Sequence, residues 1–373
     1  MNLWPLALVA MLAGCSTAGA GPGAQPPASH AASAGMREIT SLQLAKEMSP
    51  GLNLGNTLEA LPSETAWGNP PTSQAVMSAF KAAGFKTVRI PVAWNQYADA
   101  EGNIRPSWMA RVTQVVDYAR NAGLYVLINT HWDGGWADHP TYARQAEVNA
   151  RLAKFWQQIA THFKGYDDHL LFAGTNEVHI KGEYGRATAE NCAVQNSFNQ
   201  TFVNTVRATG GNNARRHLVV QSYNTNHDEA LSCNLQLPTD TVPARLMMEV
   251  HYYDPFPFTI EHDSKVWQWG KIATDRSATA GWGDEPHVDA TFQKLKAAFV
   301  DKGVPVILGE YGAGMKRAYP GMDRYRKYWN EYITGSAFRH GLVPVYWDTG
   351  GLFDRSTGAR KDEAVDLIVN AAK

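Results

Sequence analysis

"NAGLYVLINTH" (residues 121–131) places a glycine directly before a short run of β-forming residues, and the run ends on polar side chains. Gly123 suits the left-handed backbone that follows the last turn of a helix. The residues after it are too few for a helix and are apolar up to Asn129, as expected of a strand buried on both faces. The same phrase recurs in "AAGFKTVRIPV" (82–92), "DKGVPVILGEYG" (301–312) and "RHGLVPVYWDTG" (339–350). Upstream of the first two phrases the apolar residues repeat at helical spacing. Val76, Met77, Phe80 and Ala83 share one face; Met109, Val112, Val116 and Ala119 share another, behind an expected Ser107 N-cap.

Counting such short, continuously apolar β runs along the whole chain gives eight: Leu52–Leu54, Val88–Val92, Val126–Asn129, Leu170–Gly174, Leu218–Gln221, Leu246–His251, Val306–Gly309 and Val343–Trp347. Eight strands alternating with helices predict an α/β fold, a (β/α)8 TIM barrel forming a single domain over residues 37–373. An open doubly wound sheet normally uses fewer strands and often carries a Gly-rich phosphate loop, whereas "GLNLGNT" (51–57) has no GxGxxG.

The formal charge of -1 favours neither nucleic acid nor an anionic membrane as a partner, since either would call for a basic patch. The supply of 12 Trp, 15 Tyr and 13 Phe suits a groove for flat-faced ligands, although cores use aromatics too. At the N-terminus, the apolar stretch Leu3–Gly14 is shorter than the ~20 residues that span a bilayer. It ends in Leu12-Ala13-Gly14-Cys15, which resembles a bacterial lipoprotein signal whose Cys is lipidated, although no Lys or Arg precedes it. A plain secretory signal is the alternative. Either way residues 1–15 predict export, to the cell envelope through a lipid anchor at Cys15 or to the medium, and residues 16–36 read as a Gly/Pro/Ala/Ser tether. Cys192 and Cys233 form an even pair in an exported chain, which suggests a disulfide; two separate buried thiols are the other reading.

Active sites of this fold lie at the C-terminal ends of the strands. Polar residues fall there on every strand: Asn53 and Asn56, then Arg89, then Asn129, His131 and Trp132. Asn176 and Glu177 follow, then Gln221 and Tyr223, then Glu249, His251 and Tyr253, then Glu310 and Tyr311, then Trp347 and Asp348. Each alone has a structural explanation, but their convergence on one rim points to a site. Glu177 and Glu310, after strands four and seven, are expected to face each other across the mouth. Retaining glycoside hydrolysis uses two carboxyls about 5–5.5 Å apart, one protonated and one ionised. Arg89 and Tyr253 are expected to favour the Glu310 carboxylate, and the less compensated Glu177 to have a raised pKa.

The ordered set "VRIPVAW", "INTHWDGGW", "TNE", "HYY", "ILGEYG" and "VYW" resembles glycoside hydrolase family 5, over essentially the whole barrel. The resemblance implies that Glu177 is the general acid/base and Glu310 the nucleophile. It further implies that Asn176 binds the sugar 2-hydroxyl, Arg89 and Tyr253 hold Glu310, and His251 orients the Glu177 side. His131 and Trp347 are implied to contact the sugar before the scissile bond. Two departures stand out: Val178 replaces a frequent proline, and "DTGG" (348–351) stands where Asp-Asn-Gly is common. "GLNLGNTLEA", "WGNP" and "THWDGGW" look most like the endo-β-1,4-glucanase branch, acting on cellulose, mixed-linkage glucan or xyloglucan without cofactor or metal, as a monomer. Trp67, Trp94, Trp132 and Trp136 are candidate sugar platforms. The aromatic segment from Asp254 to Pro286 is either a groove wall or a loop packed on itself. A β-mannanase of the same family is the nearest rival. A non-catalytic polysaccharide-binding lipoprotein would be expected to lose a glutamate or Arg89, and a metal-dependent hydrolase needs converging His ligands that "GLNLGNT" lacks.

Overall fold

The computed structural model describes residues 35–183, 186–234 and 236–373; the leader with Cys15, and the tether up to residue 34, lie outside the described residues. The β runs form eight parallel strands: β1 (Gly51–Asn53), β2 (Thr87–Ile90), β3 (Tyr125–Asn129), β4 (Leu170–Ala173), β5 (Leu218–Asn226), β6 (Leu246–Tyr252), β7 (Val306–Tyr311) and β8 (Val343–Tyr346). They close in sequence order, with β1 pairing β8. The described residues therefore form the single-domain (β/α)8 barrel that the eight β runs implied.

Ten helices accompany the strands among the described residues: α1 (Ser41–Ala45), α2 (Gln74–Ala83), α3 (Pro106–Asn121), α4 (Tyr142–Phe163), α5 (Ala189–Ala208), α6 (His227–Cys233), α7 (Phe256–Thr259), α8 (Glu285–Ala298), α9 (Asp323–Arg339) and α10 (Ala364–Ala371). α2 buries the expected face of Val76, Met77, Phe80 and Ala83 and ends on Gly84 at φ 110°. A Cβ on Gly84 would lie 2.7 Å from the Val369 side chain, so packing as well as backbone angle calls for glycine. α3 starts one residue before the expected Ser107 cap: Arg105 is the N-cap and Pro106 opens the helix, where its missing N–H has no partner to lose.

Side-chain alternation splits the core into two layers. Leu127, Leu171, Ala173, Val219, Met247, Ile307, Val343 and Val345 fill the barrel interior together with Leu44 and Met48 of the α1 region. Their neighbours Val126, Ile128, Phe172, Val220 and Leu308 point outward against the helices. α1 plugs the end where the strands begin: Thr40 and Gln43 form its capping box, and Ser41 Oγ lies 2.9 Å from His217 Nδ1, just before β5. That leaves the other end open. No helix among the described residues is long and apolar enough to cross a membrane.

Two irregularities shape the open end. In β5, Gln221 pairs with Glu249 and Asn226 with His251, so Ser222–Thr225 stand against the single residue Val250. This bulge is why β5 runs to Asn226 and not to the expected Gln221. In β7, Val250 faces Leu308 while His251 faces Glu310, which makes Gly309 the extra residue. The segment after β6 largely packs on itself and on α9. Phe258 and Trp269 are buried, and Trp267 stacks on Tyr319 with rings 5.4 Å apart. The buried Lys316 ammonium donates to the carbonyls of Pro257, Ser264 and Val266. Only Phe256 and Trp282 of its aromatics stay exposed.

Candidate active site

Arg89 organises the open end from the interior of β2. Its guanidinium is fully buried and donates from Nη1 to Glu310 Oε1 (2.9 Å) and Asn53 Oδ1 (3.0 Å), and from Nη2 to Asn176 Oδ1 (2.6 Å). Its Nε is 2.8 Å from Glu249 Oε1. Tyr253 donates its hydroxyl to Glu310 Oε2 at 3.1 Å. His251 Nδ1 is 2.7 Å from Glu177 Oε1 and 3.7 Å from Glu310 Oε2, and its Nε2 is 3.5 Å from Glu249 Oε1. Glu177, His251 and Glu310 thus each bring one atom to within 4.8 Å of the others. The two glutamates face one another closely enough to act on one bond.

Three carboxylates therefore face two cations. Burial disfavours the His251 imidazolium, but the charge of Glu310 and the bonds to Glu177 and Glu249 raise its pKa to about 9. Burial also raises Glu249, yet the Arg89 charge overrides it and brings the carboxyl to about 2. For the facing pair the directions are the reverse of those expected from sequence. Dehydration pushes Glu177 up, but the hydrogen bond and charge of His251, with Arg89 behind, hold it below the usual range. Burial raises Glu310, and the charges of Glu177 and Glu249 reinforce it against His251 and Arg89. Two charges that the fold brings in reverse the expected order: His251 beside Glu177, and Glu249 beside the buried Glu310. Glu177 is also the accessible partner, its side chain 40% exposed against 7% for Glu310.

His131 and Trp347 lie beside this pair with near-parallel rings 5.9 Å apart. His131 Nδ1 accepts from Asn129 Nδ2 (3.1 Å), and burial plus the charges of Arg89 and His251 keep its imidazole neutral. Trp67 and Trp132 are 44% and 47% exposed, open to a ligand. Two other tryptophans require correction. Trp94 is fully buried, with its Nε1 donating to Asn129 O, and Trp136 packs edge-on against Phe155 inside the core. Neither offers a ring face to a sugar. A cavity of 530 Å³ opens next to Tyr253 and Trp347, between Thr259–His262, Gly312–Met315 and Asp348–Leu352.

Glu249 had a rim position in the sequence but no role. It lies below the site, its Oε2 accepting from Gln221 (2.7 Å), and a Cβ on Gly309 would collide with its Oε1. The signal for it was the two-residue spacing to His251, which puts both on the interior face of β6. Asn53 was likewise on the rim without a role, and it ties Arg89 to the Gly309 carbonyl (2.8 Å). Asp348 accepts from the Gly350, Gly351 and Leu352 amides and pairs with Arg355 at 2.9 Å, fixing the "DTGG" turn beside Trp347.

Three groups of side chains among the described residues are close enough to share a metal ion. Arg89 and His251 already neutralise the Glu177/His251/Glu310 group, and Arg37 and Arg120 pair with Asp168 and Asp167 of the second. In the third, Cys192 and Cys233 are joined by a disulfide, their Cα atoms 5.2 Å apart. None is a set of unpaired ligands.

The cellulase model of glycosyl hydrolase family 5 matches residues 53–352. The chain is 45% identical over 348 residues to the xyloglucan-specific endo-β-1,4-glucanase of Bacteroides ovatus, covering 87% of this chain and 68% of that protein. It is 40% identical over 342 residues to endoglucanase A of Paenibacillus barcinonensis, covering 86% and 85% of the two chains. Among solved structures, a Bacteroides ovatus family 5 xyloglucanase in complex with a XXXG heptasaccharide superposes with a TM-score of 0.86 at 43% identity. That superposition covers 91% of this chain and 78% of the other. On the match of barrel, motif order and sequence, the protein belongs to glycoside hydrolase family 5.

Proposed function

We propose that the protein is an endo-acting, retaining β-1,4-glucanase in which Glu310 is the nucleophile and Glu177 the acid/base. The observation that carries this reading is the pair of carboxyls meeting across the barrel mouth with His251 between them. In the first step Glu310 attacks the anomeric carbon and forms a glycosyl ester, while Glu177 gives its proton to the departing oxygen. In the second, Glu177, now a carboxylate, takes a proton from the water that attacks the same carbon, and Glu310 leaves. Arg89 and Tyr253 donate to both Glu310 oxygens and stabilise it as attacking and leaving group. Asn176 spends its carbonyl on Arg89, which leaves its amide donors for the sugar 2-hydroxyl.

The proton must sit on Glu177 when the bond breaks. A chain in the groove dehydrates Glu177, the only exposed carboxylate of the three, and so raises its pKa. Glu310 keeps its two protein donors. His131 and Trp347 provide the surface for the sugar before the scissile bond, and Trp67 and Trp132 are platforms further along. The relatives named above, glucanases by name, support glucan over mannan. The xyloglucan-specific relative favours a branched glucan as the substrate. The leader sequence supports export, either as a cell-envelope protein lipidated at Cys15 or as a secreted one. Purified protein should release reducing ends from carboxymethylcellulose, barley β-glucan and xyloglucan, fastest from xyloglucan, and far more slowly from mannan. Release from mannan alone, or from none of the four, would overturn the reading.

A further inference from the structure

Glu177 has φ 40°, in the left-handed region where a non-glycine residue is strained. Such a backbone persists only where neighbours hold it, and here the neighbour is the β5 bulge. Glu177 N donates to Thr225 Oγ1 at 2.9 Å. Asn224 N donates to Val178 O at 2.9 Å, and Ile180 N to the Tyr223 hydroxyl at 2.9 Å. The bulge is itself strained, with Asn224 at φ 53° and Thr225 at φ 47°. A β-branched residue is disfavoured there; Gly or Asn would adopt that backbone more easily. Thr225 is also fully buried, so its hydroxyl is not there for solvent. The bulge is fixed in turn: Ser222 Oγ donates to Asn226 O (2.8 Å), and the Asn226 side chain caps α6 by accepting from the Asp228 and Glu229 amides.

We propose that Thr225 is a positioning residue for the proton donor: its hydroxyl pins the strained Glu177 amide and so aims the carboxyl at the glycosidic oxygen. This rests on Glu177 being the acid. Thr225 touches neither Glu310 nor Arg89 by hydrogen bond, so its loss should damage proton donation and spare nucleophilic attack. The chemistry separates the two, because a dinitrophenolate leaving group departs without protonation whereas a sugar alcohol does not.

The test compares kcat/KM on an unactivated β-1,4-gluco-oligosaccharide and on 2,4-dinitrophenyl β-cellobioside for wild type, Glu177→Ala, Thr225→Val and Thr225→Ser. Thr225→Val keeps the branched shape and removes the hydroxyl; Thr225→Ser keeps the hydroxyl. The expected result is a loss of about ten- to a hundredfold for Thr225→Val on the oligosaccharide and less than about threefold on the aryl glycoside. Thr225→Ser should lie close to wild type on both. Equal losses on both substrates, no loss on either, or failure of Thr225→Ser to restore activity would overturn the proposal. Glu177→Ala guards the premise. If it shows the same selective loss and Thr225→Val does not, only the role of Thr225 fails; if it shows no selectivity, Glu177 is not the acid.

Discussion

Two fully buried arginines, Arg89 near the open end of the barrel and Arg216 near the closed one, are satisfied by different chemistry. Arg216 donates to four backbone carbonyls, those of Phe163, Tyr166, Asp167 and Leu170, and to Asn213 Oδ1. Carbonyls answer its hydrogen bonds but not its charge, and burial pulls its pKa down to about 9. Arg89 instead meets Glu249 and Glu310, whose charges outweigh its burial and hold the proton more tightly. The first arginine ties chain segments together. The second sets the charge of groups that react. Burial alone does not tell these apart; the partner atoms do.

Substitution at Arg89 should have the larger effect. Arg89→Met leaves Glu249 buried without its cation and strips Glu310 of a donor. The folded protein should lose about a thousandfold in kcat/KM, with ~3–5 kcal/mol less stability in urea. Activity within tenfold of wild type would mean that Arg89 is a structural tie like Arg216. Arg216→Met should show the opposite split, a loss of about 2–4 kcal/mol in denaturant unfolding from the unpaired carbonyls. Its kcat/KM per folded molecule should stay within about twofold of wild type. A catalytic defect in well-folded Arg216→Met would erase the distinction.

The smallest effect sharpens the charge arrangement at the open end. His251 has a folded pKa of about 9 against ~6.5 for an unfolded histidine, because Glu177, Glu249 and Glu310 face it. Its contribution to stability is therefore complete below the unfolded value and is lost as pH rises through 9. The difference in Tm between wild type and His251→Gln should be widest at pH 6 and should close by about pH 10. A gap that does not change with pH would show that His251 is neutral in the folded protein.

How much of this was legible in the sequence follows from the range of each interaction. The helix–Gly–strand phrase before β2, β3, β7 and β8 and the short apolar runs of the other four strands are local, and together they were enough for eight strands, their order and the rim positions of Glu177, Glu310, Arg89, His251 and Tyr253. Bulges are not local. Nothing in "QSYNTN" (221–226) signals that four residues oppose one on β6, because the partner strand decides it. Trp94 and Trp136 read as platforms because they follow strands on the open side, yet the loop packing that buries them depends on Asn129 and Phe155. The pKa order of the glutamates failed for the same reason. It is set by the burial of Glu310, by the mutual charge of the two glutamates, and by His251 and Glu249, brought close by the two-residue period of β6 and the absent side chain at Gly309.

The central claim is that Glu310 forms a covalent bond to the sugar while Glu177 handles the proton. It is tested most directly by incubating the enzyme with 2,4-dinitrophenyl 2-deoxy-2-fluoro-β-cellobioside, whose slowed second step accumulates the intermediate. Mass spectrometry should find one fluoro-sugar per molecule, and proteolysis should place it on the peptide bearing Glu310. A label on Glu177 or Glu249, or steady turnover with no label in an enzyme that hydrolyses glucan, would contradict the account.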